Sequence, residues 1–150
     1  MSKLVYDFFH NYVLIVGLIS WFAAQLIKAI LVLIETKKFR WERMIGSGGM
    51  PSSHSSTVCS VVVAMARSSG VSSPLFALAF IFAAVVMHDA MGVRLEAGKH
   101  ARIINVLLKK VDMKDLTEEK DLKELLGHTT LQVVAGAVLG IVIALIIPVF

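Results

Sequence analysis

Residues 11–34, NYVLIVGLISWFAAQLIKAILVLI, form a nearly unbroken apolar run as long as a bilayer-crossing helix requires, about 20 residues. An ordinary soluble domain does not accommodate it, because the rest of the chain is apolar too. Over 150 residues, 57% are hydrophobic and only 17% charged, and the mean hydropathy is +0.77. Such a composition points to a polytopic membrane protein. Lys3 is offset by Asp7, and the run that follows is long enough to stay in the bilayer, so a cleaved leader is not expected.

Three further segments complete a helical pattern. TVCSVVVAMA at 57–66 is short, but a helix opening at Ser52 or Ser53 and ending near Ser69 nearly spans. SPLFALAFIFAAVVMHDAMG at 73–92 and the stretch from 130 to 150 are the other two. ARIINVLLKKV, from Ala101, has helical periodicity suited to an interface, with Lys109 and Lys110 in water. Asp115 and Glu118 fit a capping box that opens a second short helix through Leu126; the alternative for 105–123 is a solvated charged hairpin. The expectation is one all-α domain over residues 1–150, a polytopic membrane helical bundle with about four transmembrane helices and a cytoplasmic interfacial helical segment.

Charge sets its orientation. The 35–50 loop carries Lys37, Lys38, Arg40 and Arg43, and the 93–128 region carries eight Lys and Arg, against Lys3 and Arg67 on the opposite side. Cytoplasmic loops accumulate positive charge, so this is a multi-pass protein of the cell (inner) membrane with both termini outside. The net charge of +4 is modest, and no nucleic-acid partner is expected. The lone Cys59 forms no internal disulfide.

The unusual polar residues gather on the cytoplasmic side. Lys28 interrupts the first run and His88 and Asp89 end the third; charges within spans are functional candidates, although a lysine can also snorkel. GSGGMPSSHSS at 46–56 combines glycines that permit close backbone approach, Pro51 suited to a first helical turn, serine hydroxyls, and His54. A helix amino terminus with a glycine-rich entry suits a phosphate. Gly136 and Gly140 fit close helix contact, within the bundle or in a homodimer.

PSSHS at 51–55 resembles a signature of the type 2 phosphatidic acid phosphatase and vanadium haloperoxidase superfamily. GGMPSSHS at 48–55, DAMGVR-x-x-AG at 89–98 and LGHT at 126–129 are similar to the motifs of its divergent branch of small membrane proteins. Their order covers most of the chain.

This resemblance implies phosphoryl transfer with neither cofactor nor metal: His128 as the phosphohistidine nucleophile and His54 as general acid and base. Near-neutral imidazoles suit both roles, and a covalent intermediate splits one difficult displacement into two. Lys28, Arg94, Ser52, Ser53 and Gly49 are expected to cradle the phosphate. The superfamily's K-x6-R-P motif is absent, its third-motif arginine position holds Leu122, and its orienting aspartate position holds Gln132. Asp89 is a candidate for the missing carboxylate, as is Glu124 one turn before His128; Gln132 and Glu124 are the expected orienting residues. The implied activity is hydrolysis of a membrane lipid phosphate or diphosphate, polyprenyl or phosphatidate-like, with the bilayer holding its tail. Two alternatives stand beside it: a non-catalytic binder of anionic lipid or partner, and a metal or proton translocator built on His54, His88, Asp89, His100 and His128.

Overall fold

The computed structural model describes residues 2–37, 49–110, 122 and 127–150, and within these every regular element is a helix. The elements are α1 (Lys3–Phe9), α2 (Tyr12–Thr36), α3 (Ser53–Ser69), α4 (Pro74–Met91), α5 (Val93–Lys110) and α6 (Thr130–Ile146). The Asp115–Glu118 capping box and Glu124 lie outside the described residues.

Local chemistry sets the helix starts. Side-chain oxygens of Asn11, Ser52, Ser73 and Thr129 accept from main-chain N–H groups of the first turns, which have no partner inside the helix. Pro74 occupies the first turn of α4, where its missing N–H is harmless. Pro51, expected in the first turn of α3, instead precedes the Ser52 cap, because Ser52 offers the capping hydroxyl that proline lacks. The helix expected from Ala101 begins earlier, at Val93, directly after Gly92. The seven-residue α1 has no counterpart in the sequence reading; it is too short to carry a clear apolar period.

Packing is inverted relative to a soluble bundle. The central helix α3 is the polar one, with Ser53, Ser55, Ser56 and Ser60 buried, and it packs against α2, α4 and α6. Large apolar side chains such as Phe22 and Ile30 of α2, Leu78 and Phe82 of α4, and Leu131 and Leu145 of α6 are exposed. Exposed apolar area on this scale requires a lipid solvent. α2 and the stretch Pro74–Leu108 are long and apolar enough to cross a bilayer, while the apolar α6 is shorter at 17 residues.

Small residues bring the backbones together, as expected where lipid supplies no hydrophobic drive between helices. Gly136 and Gly140 lie directly on the carbonyl oxygens of Ser52 and Ser56, and a Cβ at either position would overlap them. The glycine pair is therefore buried inside the bundle. On the other flank, Ser20 Oγ of α2 donates to the Ser56 carbonyl at 2.9 Å and lies 2.7 Å from Ser56 Oγ. At the far end of α3, Arg67 donates to the Tyr12 hydroxyl (3.0 Å) and to the carbonyls of Ala144 and Ile147, the latter at 2.7 Å. A cation among the last, unpartnered carbonyls of α6 is well placed for both hydrogen bonding and the helix dipole.

Candidate active site

The expected motifs meet at the end of the bundle where α3 and α6 begin and α4 ends. Two main-chain hydrogen bonds join them: Ser52 N–H donates to the Gln132 carbonyl at 3.0 Å, and His128 N–H to the Ala90 carbonyl at 2.9 Å. The second uses a carbonyl of the last turn of α4, which lacks an intrahelical partner. Gly127, at φ +94°, makes the approach feasible, since a Cβ there would collide with the main chain of Arg94 and Leu95.

His128 is thereby carried into a buried position, 2% exposed, facing half-buried His54 with ring centroids 6.2 Å apart and planes at 64°. Its Nδ1 lies 3.3 Å from Gln132 Oε1. That oxygen also accepts from Thr129 N–H at 3.1 Å, closing the capping box of α6. Because Gln132 Oε1 also accepts from the Thr129 N–H, it faces the histidine as an acceptor, and His128 Nδ1 is the donor to it. Burial pushes His128 below the usual imidazole range; the Gln132 bond opposes this, while the charge of Lys28 and the neighbouring His54 reinforce it.

Lys28 reaches the same place from α2. Its side chain is buried, 2% exposed, with Nζ donating to Gln25 Oε1 at 2.9 Å. Its aliphatic stem runs beside Gly49, where an added Cβ would press on Cδ at 3.3 Å. Gly49 has φ +83°, a conformation that favours glycine, so both backbone geometry and the close lysine restrict the position. The charges of Lys28, Arg94 and Asp89 all act on His54.

The remaining candidates are arranged differently from the simplest expectation. Asp89 Oδ2 lies 2.5 Å from Arg94 Nε, so the carboxylate holds Arg94, and Gln132 is the group on His128. Ser52 is fully buried as the α3 cap, its hydroxyl engaged with the N–H and hydroxyl of Ser55; the adjacent Ser53 is 5% exposed in the first turn. His88 and His100 are exposed. Among the described residues, no group of three or more His, Cys, Asp or Glu side chains is placed to hold a metal ion, so the five-residue cluster of the translocator reading does not assemble. Gln25, which with Lys28 interrupts the first apolar run, and Gly127 are not among the expected site residues. The signal for Gln25 was present, three residues before Lys28 on one helical face.

Two amino-terminal helix ends, a buried lysine and a nearby arginine make this end of the bundle electropositive, with two imidazoles at its centre. It can attract an anion, offer a ring lone pair and exchange a proton.

Comparison with known proteins agrees with the motif reading. No solved structure matches the chain. It is 37% identical, over 93% of its own length and 96% of the other's, to the protein of Bacillus subtilis (strain 168) described as uncharacterized membrane protein YuiD. The family model described as Divergent PAP2 family matches residues 9–143, which include α2, α3, α4, most of α6 and both site histidines, and the chain belongs to that family.

Proposed function

We propose that this protein is a membrane-embedded phosphatase that hydrolyses a lipid phosphate or diphosphate, polyprenyl or phosphatidate-like, through a phosphohistidine intermediate. The observation that carries the reading is the pair of facing imidazoles, His54 and His128, with the buried Lys28 beside them. In the first step His128 Nε2 attacks phosphorus and the P–O bond to the lipid breaks as protonated His54 gives its proton to the leaving oxygen. In the second, neutral His54 takes a proton from water, the water oxygen attacks phosphorus, and the P–N bond breaks to release phosphate and restore Nε2. Lys28, Ser53, the Gly49 backbone and Arg94, held by Asp89, stabilise charge on the equatorial oxygens.

Helices α2, α3, α4 and α6 each cross the membrane in this reading, with the termini outside and the site cytoplasmic. The basic loops attract anionic headgroups, and the bilayer holds the tail. Phosphate release from a panel of lipid phosphates, without added metal, tests it: turnover should be inhibited by vanadate and lost in His128→Ala and His54→Ala. Activity surviving both substitutions would refute the mechanism.

A second reading, a non-catalytic binder of anionic lipid, is favoured by the uncharged Gln132 on His128. Phosphate-ester binding at His54 and His128 with no turnover across the panel would select it.

A further inference from the structure

A groove of about 310 Å³ runs between α2 and α3, lined by Leu14, Gly17 and Leu18 on one side and by Thr57, Val61 and Met65 on the other. Its floor is the point where the two helices touch: a Cβ on Gly17 would come within 3.1 Å of a Val61 methyl. Thr57 Oγ1 donates to the Ser53 carbonyl at 2.8 Å, and its methyl faces Gly17. These walls are therefore apolar, and Leu18, 56% exposed, stands at the lipid-facing edge.

Helix periodicity joins this groove to the candidate site. On α3, His54, Thr57, Val61 and Met65 recur at intervals of three, four and four residues and share one face. On α2, Gly17, Ala24 and Lys28 lie on one buried stripe in the same way. At about 1.5 Å per residue, Thr57 and Met65 lie roughly 6 and 18 Å from the start of α3 at Ser53. That interval matches the hydrocarbon depth of one leaflet, about 15 Å, half of the bilayer core. A second groove, lined by Cys59, Val62, Ala84 and Met87 among others, does not share this alignment. Cys59, five residues beyond His54, is about 140° round the helix from it. The occupant that fits the first groove and also reaches the site is apolar along its length and anionic at one end.

We infer that the groove between α2 and α3 receives one hydrocarbon chain of the lipid phosphate, running down the His54 face of α3 from the phosphate, and that its extent from Thr57 to Met65 selects chain length. The inference rests on the phosphatase reading above for the position of the phosphate. It adds a protein-built site for the first part of the tail, the remainder lying in the bilayer.

Photolabelling tests this. Full-length protein in phosphatidylcholine nanodiscs is exposed to a single-chain alkylphosphonate, which is not hydrolysed, carrying a diazirine in its chain, and labelled residues are mapped by mass spectrometry. The matching alkyl alcohol reports labelling from the bilayer alone. The phosphonate should label Leu14, Val61 and Met65 at least about tenfold more than the alcohol does, while Val62 and Ala84 of the second groove are labelled equally by both. Val61→Phe fills the groove at mid-length. It should abolish the preference and lower kcat/KM for long-chain alkyl phosphates by at least about tenfold while sparing short ones, the discrimination an apolar pocket achieves. If Val61→Phe fails to fold, Met65→Ala, which opens the far end, should raise kcat/KM for longer chains relative to shorter ones. Equal labelling by phosphonate and alcohol, or unchanged chain-length dependence in the folded variants, overturns the inference, and continued turnover by wild type then spares the phosphatase reading. Preferential labelling of the groove without wild-type turnover on any lipid phosphate upholds the chain site and overturns the phosphatase reading.

Discussion

Gln132 Oε1 stands between two donors, 3.1 Å from the Thr129 N–H and 3.3 Å from His128 Nδ1. One amide oxygen thus both closes the amino terminus of α6 and orients the nucleophile of the proposed reaction. Gln132→Leu removes both functions. The expected result is a kcat lowered by about 10- to 100-fold, by analogy with loss of an orienting partner on a ligating histidine, and a loss of about 1 kcal/mol in stability from the cap. Gln132→Asp keeps the acceptor and adds charge, so the fold should persist while the acid limb of the pH–rate profile moves upward. Kinetics across pH with parallel melting curves measure both.

The wild-type pH dependence follows from burial of His128. Its neutral form is favoured, so the acid limb assigned to the nucleophile should have its midpoint below the ordinary imidazole value of about 6.5. The same shift bears on stability. Between the lowered folded value and the unfolded value near 6.5, the unfolded chain binds more protons, so this contribution to stability is present above about 6.5 and is lost as pH falls through the window. Comparing wild type with His128→Gln in melting experiments at pH 5 and 8 isolates it; an identical pH response in the two proteins would remove the assignment.

Gly136 and Gly140 rest on the Ser52 and Ser56 carbonyls, leaving no space for a side chain. Gly140→Ala should therefore separate α3 from α6 and lower stability by about 1–3 kcal/mol, in the range of overpacked interiors. The ring arrangement at the amino ends of the same helices should be disturbed with it. Substitution at Gly70, where an added Cβ meets open space but φ is +82°, gives a control in which backbone strain acts without helix separation. Only the Gly140 variant should lose His128 phosphorylation in its folded fraction.

Arg67 lies at the opposite end of α3 and binds the carboxyl-terminal carbonyls of α6 together with Tyr12. Arg67→Met should lower stability by about 1–2 kcal/mol through loss of charge-assisted hydrogen bonds, while KM for lipid phosphate in the folded protein stays near wild type. A large KM change with unaltered melting would mean that this end of the bundle communicates with substrate.

Length and local pattern made much of this fold legible. Apolar runs and caps placed α2, α3 and α4 within about two residues of their observed ends and α6 at its observed start, although α6 stops at Ile146 and not at residue 150; a bilayer-length apolar run has few ways to satisfy its backbone other than as a helix. Local signals marked Lys28, Gly49 and His54 as candidates, and the motif resemblance added His128. Gln132 was already an expected orienting residue for His128, but nothing in the sequence revealed that Asp89 would pair with Arg94 or that Gln25 would hold Lys28. Both pairs are close in sequence, Asp89 with Arg94 across the Gly92 break and Gln25 with Lys28 along α2, but spacing along the chain does not show which of several neighbours a side chain will face. Sequence alone determined membrane character, the main apolar helices and family, since these follow from composition and contiguous motifs. Tertiary structure alone decided the site: His54 and His128 face one another because glycines let α6 lie on the backbone of α3, a contact defined only when both helices are in place.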